Sequence, residues 1–544
     1  MCQTRMGEPK VEREHVEVVE DDGELHGRAI QQQEHSRTYW QTLQQDPKLL
    51  GWIGLMLWML IIRGFENQAS GTLISVTQFK RRFGVEDENG DYFIDTKWQS
   101  ALSGGPLAAG IIGAWVASIL ADLFGFKWVL IGAASINLAS IGIEFASTSI
   151  QMFFAGKMIN LCAIGIMQNL CTAYVADIAP LAIRASAIGF CNLSQCIGPF
   201  ICAIMANSTG NWTSDWSWKS LVCAQWGFAG VGYVFQFFMP ESPVHLVRMN
   251  KLEKASNVLN RLYRDPSDAD GHLERIKITL AEAETNKEGS SFLECFRGTN
   301  LRRTIIAIIP FMGQGMSGLA FVNSYGPLMY QYMGVSDKKS FQIQIGSQIL
   351  SISGAILSFL ISDFVGRRVM FITGCTAITT VLFCMAIAGC FPEKESAATA
   401  AVGFLTMYNF FFNAGVGSMA YILAGEVPTS VLRTKTLAIS MCLEQAVLTM
   451  WTFVCPYIIN PGYGNLNAKV GFIFGSLMVV WVVLAFFLIP ETRGRTYEEL
   501  DEMFMNHVPA RKFRKYKTVA EARAAESYQV ERKNKEMYEY AEEA

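Results

Sequence analysis

The stretch LIIRGFENQASG, residues 60–71, sets Arg63 and Glu66 one helical turn apart. They close an uncharged run from Leu49 to Ile62, and apolar or small residues resume at Ala69, Gly71, Leu73, Ile74 and Val76. A run of this length can cross a bilayer, which puts both ionisable groups inside it. Charge there is costly, and its presence marks a functional site by default. Glu444, beside Gln445, stands in a second such run, where an acid is rarely packing alone. The chemistry open to these groups is proton binding, pairing with a cation, or holding a cationic or hydroxylated ligand.

The elements that must hold them follow from composition. Of 544 residues, 51% are hydrophobic, 12% aromatic and only 17% charged, where a soluble chain carries about a quarter charged. The chain is therefore of the membrane class, with a lipid bilayer as its medium. A net charge of −3 argues against a nucleic-acid partner. Most of the 13 cysteines, among them Cys162, Cys171, Cys191, Cys196, Cys202, Cys384 and Cys442, fall in apolar runs without metal-ligand spacings and read as small buried hydrophobes. No metal or cofactor is expected. Residues 1–48 are polar, with the acidic run VEVVEDDGEL, and lack the apolar core of a cleaved leader; a disordered cytosolic tail is expected.

Windows of mostly apolar residues, each about 20 long, occur twelve times, at roughly 49–76, 98–120, 128–147, 151–175, 186–206, 220–239, 304–332, 342–361, 369–391, 399–424, 436–459 and 470–489. Residues 240–303 break the series, being rich in Lys, Arg and Glu with helical patterning in LEKASNVLNRLYR and HLERIKITLAEAETNK. An all-α membrane protein is expected, with six spans in 49–239, a cytosolic helical linker at 240–303, six more in 304–489 and a cytosolic tail at 490–544. Orientation follows the excess of Lys and Arg in short loops. Lys127, Arg184, Arg367, Arg368, Arg433, Lys435, the linker and ARKFRKYK share one side if both termini are cytosolic, with a mild dissent from Lys80, Arg81 and Arg82. The other side receives NSTGNWTSDW, in which Asn207 and Asn211 head glycosylation sequons.

The halves echo each other. ILADLFGFKW matches LISDFVGRRV, Asp122 to Asp363, an offset of 241; YVADIAPLAIRA matches LAGEVPTSVLRT, Arg184 to Arg433, an offset of 249; MPESP matches IPETR, Pro240 to Pro490, an offset of 250. Three paired signals at nearly one spacing mean duplication, and duplicated six-helix halves imply a substrate site near the midplane where they meet.

These loops resemble those of the major facilitator superfamily, and in detail its sugar porter family: PESPVHLVRMNKLEKA resembles the sequence after span six, PETRGRTYEELDEMF that after span twelve, and DFVGRR the loop between spans eight and nine. The likeness covers Leu49 to about Phe513. A narrower one, to fungal α-glucoside (maltose-type) permeases, rests on AYVADIAPLAIRA, CFRGTNLRRT, GEVPTSVLRTKT, PYIIN and PETRGRTYEELDEMFMNHVPARKF. It implies the major facilitator fold, twelve transmembrane helices in two six-helix halves, a plasma-membrane monomer, and carriage of a sugar by alternating access. It also implies a cytosolic gate network of Asp122, Lys127, Asp177 and Arg184 in the first half and Asp363, Arg367, Arg368, Glu426 and Arg433 in the second. Such acids and bases can clamp neighbouring helix ends; the alternative is that they only set topology. The first half is thinner, with Leu123 where the family usually has Arg and Phe126-Lys127 in place of two bases.

Proton-coupled sugar porters carry a carboxylate in span one and often an Arg near the outer end of span four, and the matching positions hold Glu66 and Lys157. The resemblance thus makes a proton the coupling ion. The α-glucoside symporters usually have acids at the positions of Arg63 and Lys157, so the charge pattern is inverted here, and a Glu66 pinned between two cations could be permanently ionised. Symport, facilitated diffusion and exchange all stay open. Sugar-binding positions depart as well: Pro199 replaces a span-five Gln, Gln314 is kept, and Gly315 and Ala320 stand where a Gln and an Asn are usual. Tyr421 keeps the span-ten aromatic position, while Glu444 and Gln445 match cavity-lining positions of span eleven. Asn192, Gln195 and Asn323, with Gln348, Asn409 and Asn413, are candidates to compensate, against the alternative that each is helix-packing glue.

No P-loop, nucleophile elbow or paired His site is present, so no enzyme is expected. A transporter-like nutrient sensor would keep the fold and lose the binding amides, yet sensors carry a long signalling tail and only 53 residues follow Glu491. Lost amides and a gained Glu444 also suit a transporter of a non-sugar small molecule, such as a fungal metabolite.

Overall fold

A computed structural model describes residues 47–518, apart from 87–89, 264–265, 288–291, 392, 430–431, 461, 494, 496 and 517. The expectations for residues 1–46 and beyond 518 lie outside the described residues. At some helical positions, Arg184 and Asp363 among them, only the backbone is described.

Pro47–Ser75, Thr96–Phe124, Phe126–Phe145, Ile150–Ile178, Leu181–Thr209 and Trp216–Gln236 take the places of spans one to six. Spans seven to twelve follow as Gly298–Met316 with Leu319–Tyr332, Asp337–Val365, Arg367–Ala388, Glu395–Phe411 with Phe412–Gly417 and Ser418–Glu426, Arg433–Ile459, and Val470–Leu488. Among the described residues ten helical segments are long and apolar enough to cross a membrane. Trp216–Gln236 and span ten are not among them, because Lys219, Gln225 and Gln236 dilute the one and Asn409, Asn413 and glycines the other. The helices overshoot the hydropathy windows, since a helix continues past the point where its side chains turn polar.

Consecutive spans alternate in direction. The end where span one begins also carries the linker and the start of span seven; it is the terminal end, and the opposite one is the far end. Linker helices Pro243–Arg248, Leu252–Leu262 and Pro266–Lys287 lie after span six. After span twelve, Tyr497–Met505 buries Leu500, Met503 and Phe504, with Phe513, against Ile306 and Val427.

Small residues let the helices approach backbone to backbone. A side chain at Gly64 would overlap Gln195 of span five, and one at Gly198 would overlap Ile61 and Phe65 of span one. Gly113 meets Cys162, and Gly165 meets Gly110, so spans two and four touch in the same way. These contacts fix spans one and four on either side of Glu66 and Lys157. The two halves pack on each other through spans one and seven, two and eleven, and five and eight.

Candidate functional site

Four spans of the first half meet at one buried polar cluster. Lys157 Nζ of span four donates to Glu66 Oε1 of span one, and the two side chains are 1% and 0% exposed. Glu144 of span three, also fully buried, faces the same ammonium with Oε2 at 3.5 Å. Asn160 Nδ2 donates to Glu144 Oε1 at 2.8 Å and to Gln225 Oε1 of span six at 3.2 Å, while Asn137 Nδ2 donates to Asn160 Oδ1 at 2.5 Å. The Phe153 ring lies 5.7 Å from the ammonium. The predicted partnership of Glu66 and Lys157 is therefore present as an ion pair, and Glu144 is a member that the sequence reading missed. Asn137, seven residues before it, lies on the same helix face, and that polar stripe was the available signal.

Arg63 makes no ion pair with this cluster among the described residues. Its Nη1 is buried without a hydrogen bond, and its guanidinium lies within electrostatic range of Glu66 and of Tyr421 in the second half. Tyr421 packs edge-on against Phe311 with ring centroids 5.0 Å apart, lies within electrostatic range of Glu444, and is 45% exposed. Glu444 is only 4% exposed and has no hydrogen-bond or ion-pair partner among the described residues. Arg63 and Tyr421, in opposite halves, thus lie near one another with Glu444 beside Tyr421, and Arg63 Nη1 and the Glu444 carboxylate carry no hydrogen bond among the described residues.

The candidate amides divide. Gln314 donates its Nε2 to Val416 O and Gly417 O, at 3.3 and 3.0 Å, and so supports the π-helical turn Phe412–Gly417 in span ten. That turn meets the break in span seven at Gly318, φ 89°, where Ser317 and Tyr408 share a hydrogen bond at 2.7 Å. Discontinuous spans at the middle of a bundle are where transporters place ligands. Asn409 and Asn413 are tied to Ser347 and Ser351 of span eight at 2.6 and 2.9 Å, and Gln348 reaches Gln68 at 3.4 Å. Gln195 accepts from Gln168 at 3.4 Å. Asn192, Asn323 and Gln445 are half-buried and have no side-chain hydrogen bond among the described residues.

Hydrogen bonds joining the halves lie at mid-bundle or the far end. Asn460 Nδ2 donates to Thr96 Oγ1 at 2.8 Å and to Gln99 Oε1 at 3.2 Å; Ser100 Oγ donates to Phe453 O at 2.9 Å; Thr77 Oγ1 donates to Asp337 at 2.6 Å; Lys80 Nζ donates to Gln331 Oε1 at 2.9 Å. Burial draws the Lys80 ammonium below its usual range, opposed by Asp337 and Asp91. Among the described residues no such bond crosses at the terminal end, where Asp122, Lys127, Asp177, Arg367, Arg368 and Glu426 have partners inside their own half.

There the duplication repeats atom for atom. Glu241 Oε1 accepts from Phe126 N at 2.8 Å and caps span three, as Glu491 Oε1 accepts from Arg367 N at 2.9 Å and caps span nine. Ser242 Oγ donates to Asp177 at 2.6 Å, as Thr492 Oγ1 donates to Glu426 at 2.5 Å. Arg367 Nη2 lies 3.2 Å from Glu426, and Arg248 Nη1 lies 3.4 Å from Asp122. Lys127 Nζ donates to Phe237 O at 2.7 Å, and Arg368 to Phe486 O at 2.7 Å and Ala510 O at 3.3 Å. Arg433 is half-buried at the start of span eleven. The capping acids were visible only as part of an echo, not as helix caps.

Of the two sequons, Asn211 stands exposed in the loop before span six. Asn207 lies in the last turn of span five with Oδ1 buried.

The family model for sugar (and other) transporters matches residues 55–504. The chain is 29% identical over 490 residues to the general alpha-glucoside permease of Saccharomyces cerevisiae, covering 88% of this chain and 79% of that one. It is 28% identical over 531 residues to maltose permease MAL31 of the same organism, covering 95% and 86%. Among solved structures, the inward-open xylose transporter XylE from E. coli superimposes with a TM-score of 0.68 at 18% identity, over 83% of this chain and 99% of that one. Its partially occluded inward-open form gives 0.67 at 17% identity, over 83% and 100%. With the fold of a major facilitator and a family match over most of its length, the chain belongs to the sugar (and other) transporter family.

Proposed function

We propose that the chain carries a sugar of the α-glucoside or hexose class across a membrane by alternating access, as a proton symporter. One observation carries the reading: among the described residues the halves are hydrogen-bonded at mid-bundle and the far end, with the buried Arg63 Nη1 of one half and the buried Glu444 of the other left without hydrogen bonds. The permeases to which the chain is related over most of its length supply the substrate class. The positive loops and the exposed Asn211 favour the terminal end as cytosolic, in the plasma membrane, with Asn211 as the glycosylated residue. The acid and base pairs at that end are the parts of a gate that would rejoin when the far end opens.

Proton coupling follows from the cost of stranding a buried charge. Moving a two-state equilibrium from 1:99 to 99:1 takes about 5.5 kcal/mol of differential binding. Breaking a buried ion pair by neutralising one partner is worth about 3–5 kcal/mol. Protonation at the Glu66–Lys157 pair thus supplies most of that swing, enough to bias which end is open. Arg63, near Tyr421 of the other half, positions Glu66 and offers donors to a sugar hydroxyl.

The experiment is tracer uptake of maltose and of glucose in transporter-deficient yeast, with and without a protonophore. Uptake abolished by the protonophore is the expected result. Uptake that persists would make the protein a facilitator and sink the coupling. No uptake of either sugar would favour a second reading, a non-sugar cargo, for which the specific support is Glu444 without a partner and Gln314 spent on backbone carbonyls.

A further inference from the structure

Lys157 is bracketed by two acids. Its ammonium bonds Glu66 Oε1 and stands 3.5 Å from Glu144 Oε2, and no side chain of the three is more than 1% exposed. Asn160 satisfies Glu144 Oε1, whereas Oε2 of Glu144 and Oε2 of Glu66 have no hydrogen-bond partner. Two ionised carboxylates around one ammonium would bury one more negative charge than the ammonium neutralises, which is expensive.

No neighbouring group supplies a donor to these oxygens. Arg63 lies within electrostatic range of Glu66 but forms no ion pair with either acid among the described residues and keeps Nη1 unbonded. Lys219 of span six is occupied over the Phe145 ring at 5.3 Å. Span two has no ionisable residue between Lys97 and Asp122, and Gln225 and Asn137 are neutral. A metal cation would sit against the Lys157 ammonium and be repelled. A proton would not.

The geometry points to one proton held in common by Glu66 and Glu144, with Lys157 pairing to whichever carboxylate is ionised. In this conformation the ammonium is on Glu66, so the proton is on Glu144. When the O–H bond at Glu144 breaks and one forms at Glu66, the ammonium crosses to Glu144 and the charge of the pocket is unchanged. The ammonium thus keeps an ionised partner whichever acid holds the shared proton, and only a second proton, taken up from solvent, strands it at the cost that drives coupling. This inference rests on reading the cluster as the coupling site.

The test is infrared spectroscopy of the purified full chain at neutral pH, following the C=O stretch of a protonated carboxylic acid in an E444Q background, which removes the buried acid beside Tyr421. A band is expected, and it should be lost in E144Q and equally lost in E66Q, because a single acid left beside Lys157 ionises. A band that survives E66Q would make the Glu144 proton a fixed structural feature and overturn the proposal, as would one that survives E144Q. Should E144Q not fold, E144D keeps the carboxyl on a shorter stem and must shift the band; an unmoved band again overturns it. The spectrum needs no substrate. A protein with the expected spectra that moves no maltose would sink the sugar reading alone, and coupled maltose uptake without the band would sink the shared proton alone.

Discussion

At the scale of the residue, the ion pair of Glu66 and Lys157 is the feature on which most depends, and its energetics can be isolated. In K157M the Glu66 carboxylate stays buried without its cation, at a cost of about 3–5 kcal/mol. The double variant K157M/E66Q removes both charges and should regain most of that loss. Thermal unfolding of the purified protein in detergent measures both, and a double variant no more stable than K157M would contradict the pairing. Glu66 was legible because it interrupts an apolar run, and Lys157 by likeness to the family. Glu144 was not, because it is the last residue but one of span three, where an acid reads as a flank residue. Its buried position is a fact of packing: spans four and six close over that end of the helix and put Asn160 and Gln225 beside it.

At the scale of the element, the echoed loops work through two glycines. Gly125 and Gly366 have φ of 87° and 99°, and a side chain at either would come within 2.6 Å of the carboxylate of Glu241 or Glu491 that caps the next helix. Alanine there pays backbone strain of about 1–3 kcal/mol and displaces the capping acid. G125A and G366A should each lower the unfolding temperature, whereas G132A, in a helix with open space around it, should be neutral or slightly stabilising. Equal effects at all three positions would show that the turns carry no such strain. Helix positions could be read from hydropathy to within a few residues, and the duplication from DxxGxxx and PES/PET loops. The π-helical turn in span ten and the break in span seven could not, since the register of backbone bonding leaves no trace in composition. Gln314, a candidate sugar ligand, braces that turn through its Nε2 in this structure.

At the scale of the whole molecule, family and architecture were present in the sequence, but the conformation was not, because one sequence encodes every state of the cycle. In this structure the far ends of the two halves are joined by small polar contacts such as Asn460 with Thr96 and Ser100 with Phe453, each worth about 1 kcal/mol. No single residue among them stands out in the chain. The central claim is that the two ends open and close in opposition. Electron–electron distance measurements test it with one spin-label pair at the far end, Arg81 with Lys339, and another at the terminal end, Leu123 with Phe364, all exposed positions in opposite halves. Cys390 and Cys442, the exposed cysteines among the described residues, would first be replaced by serine. On acidification with maltose present, the far-end distance should lengthen and the terminal-end distance shorten in the same population of molecules. Two distances that stay fixed, or that change in the same direction, would contradict the account.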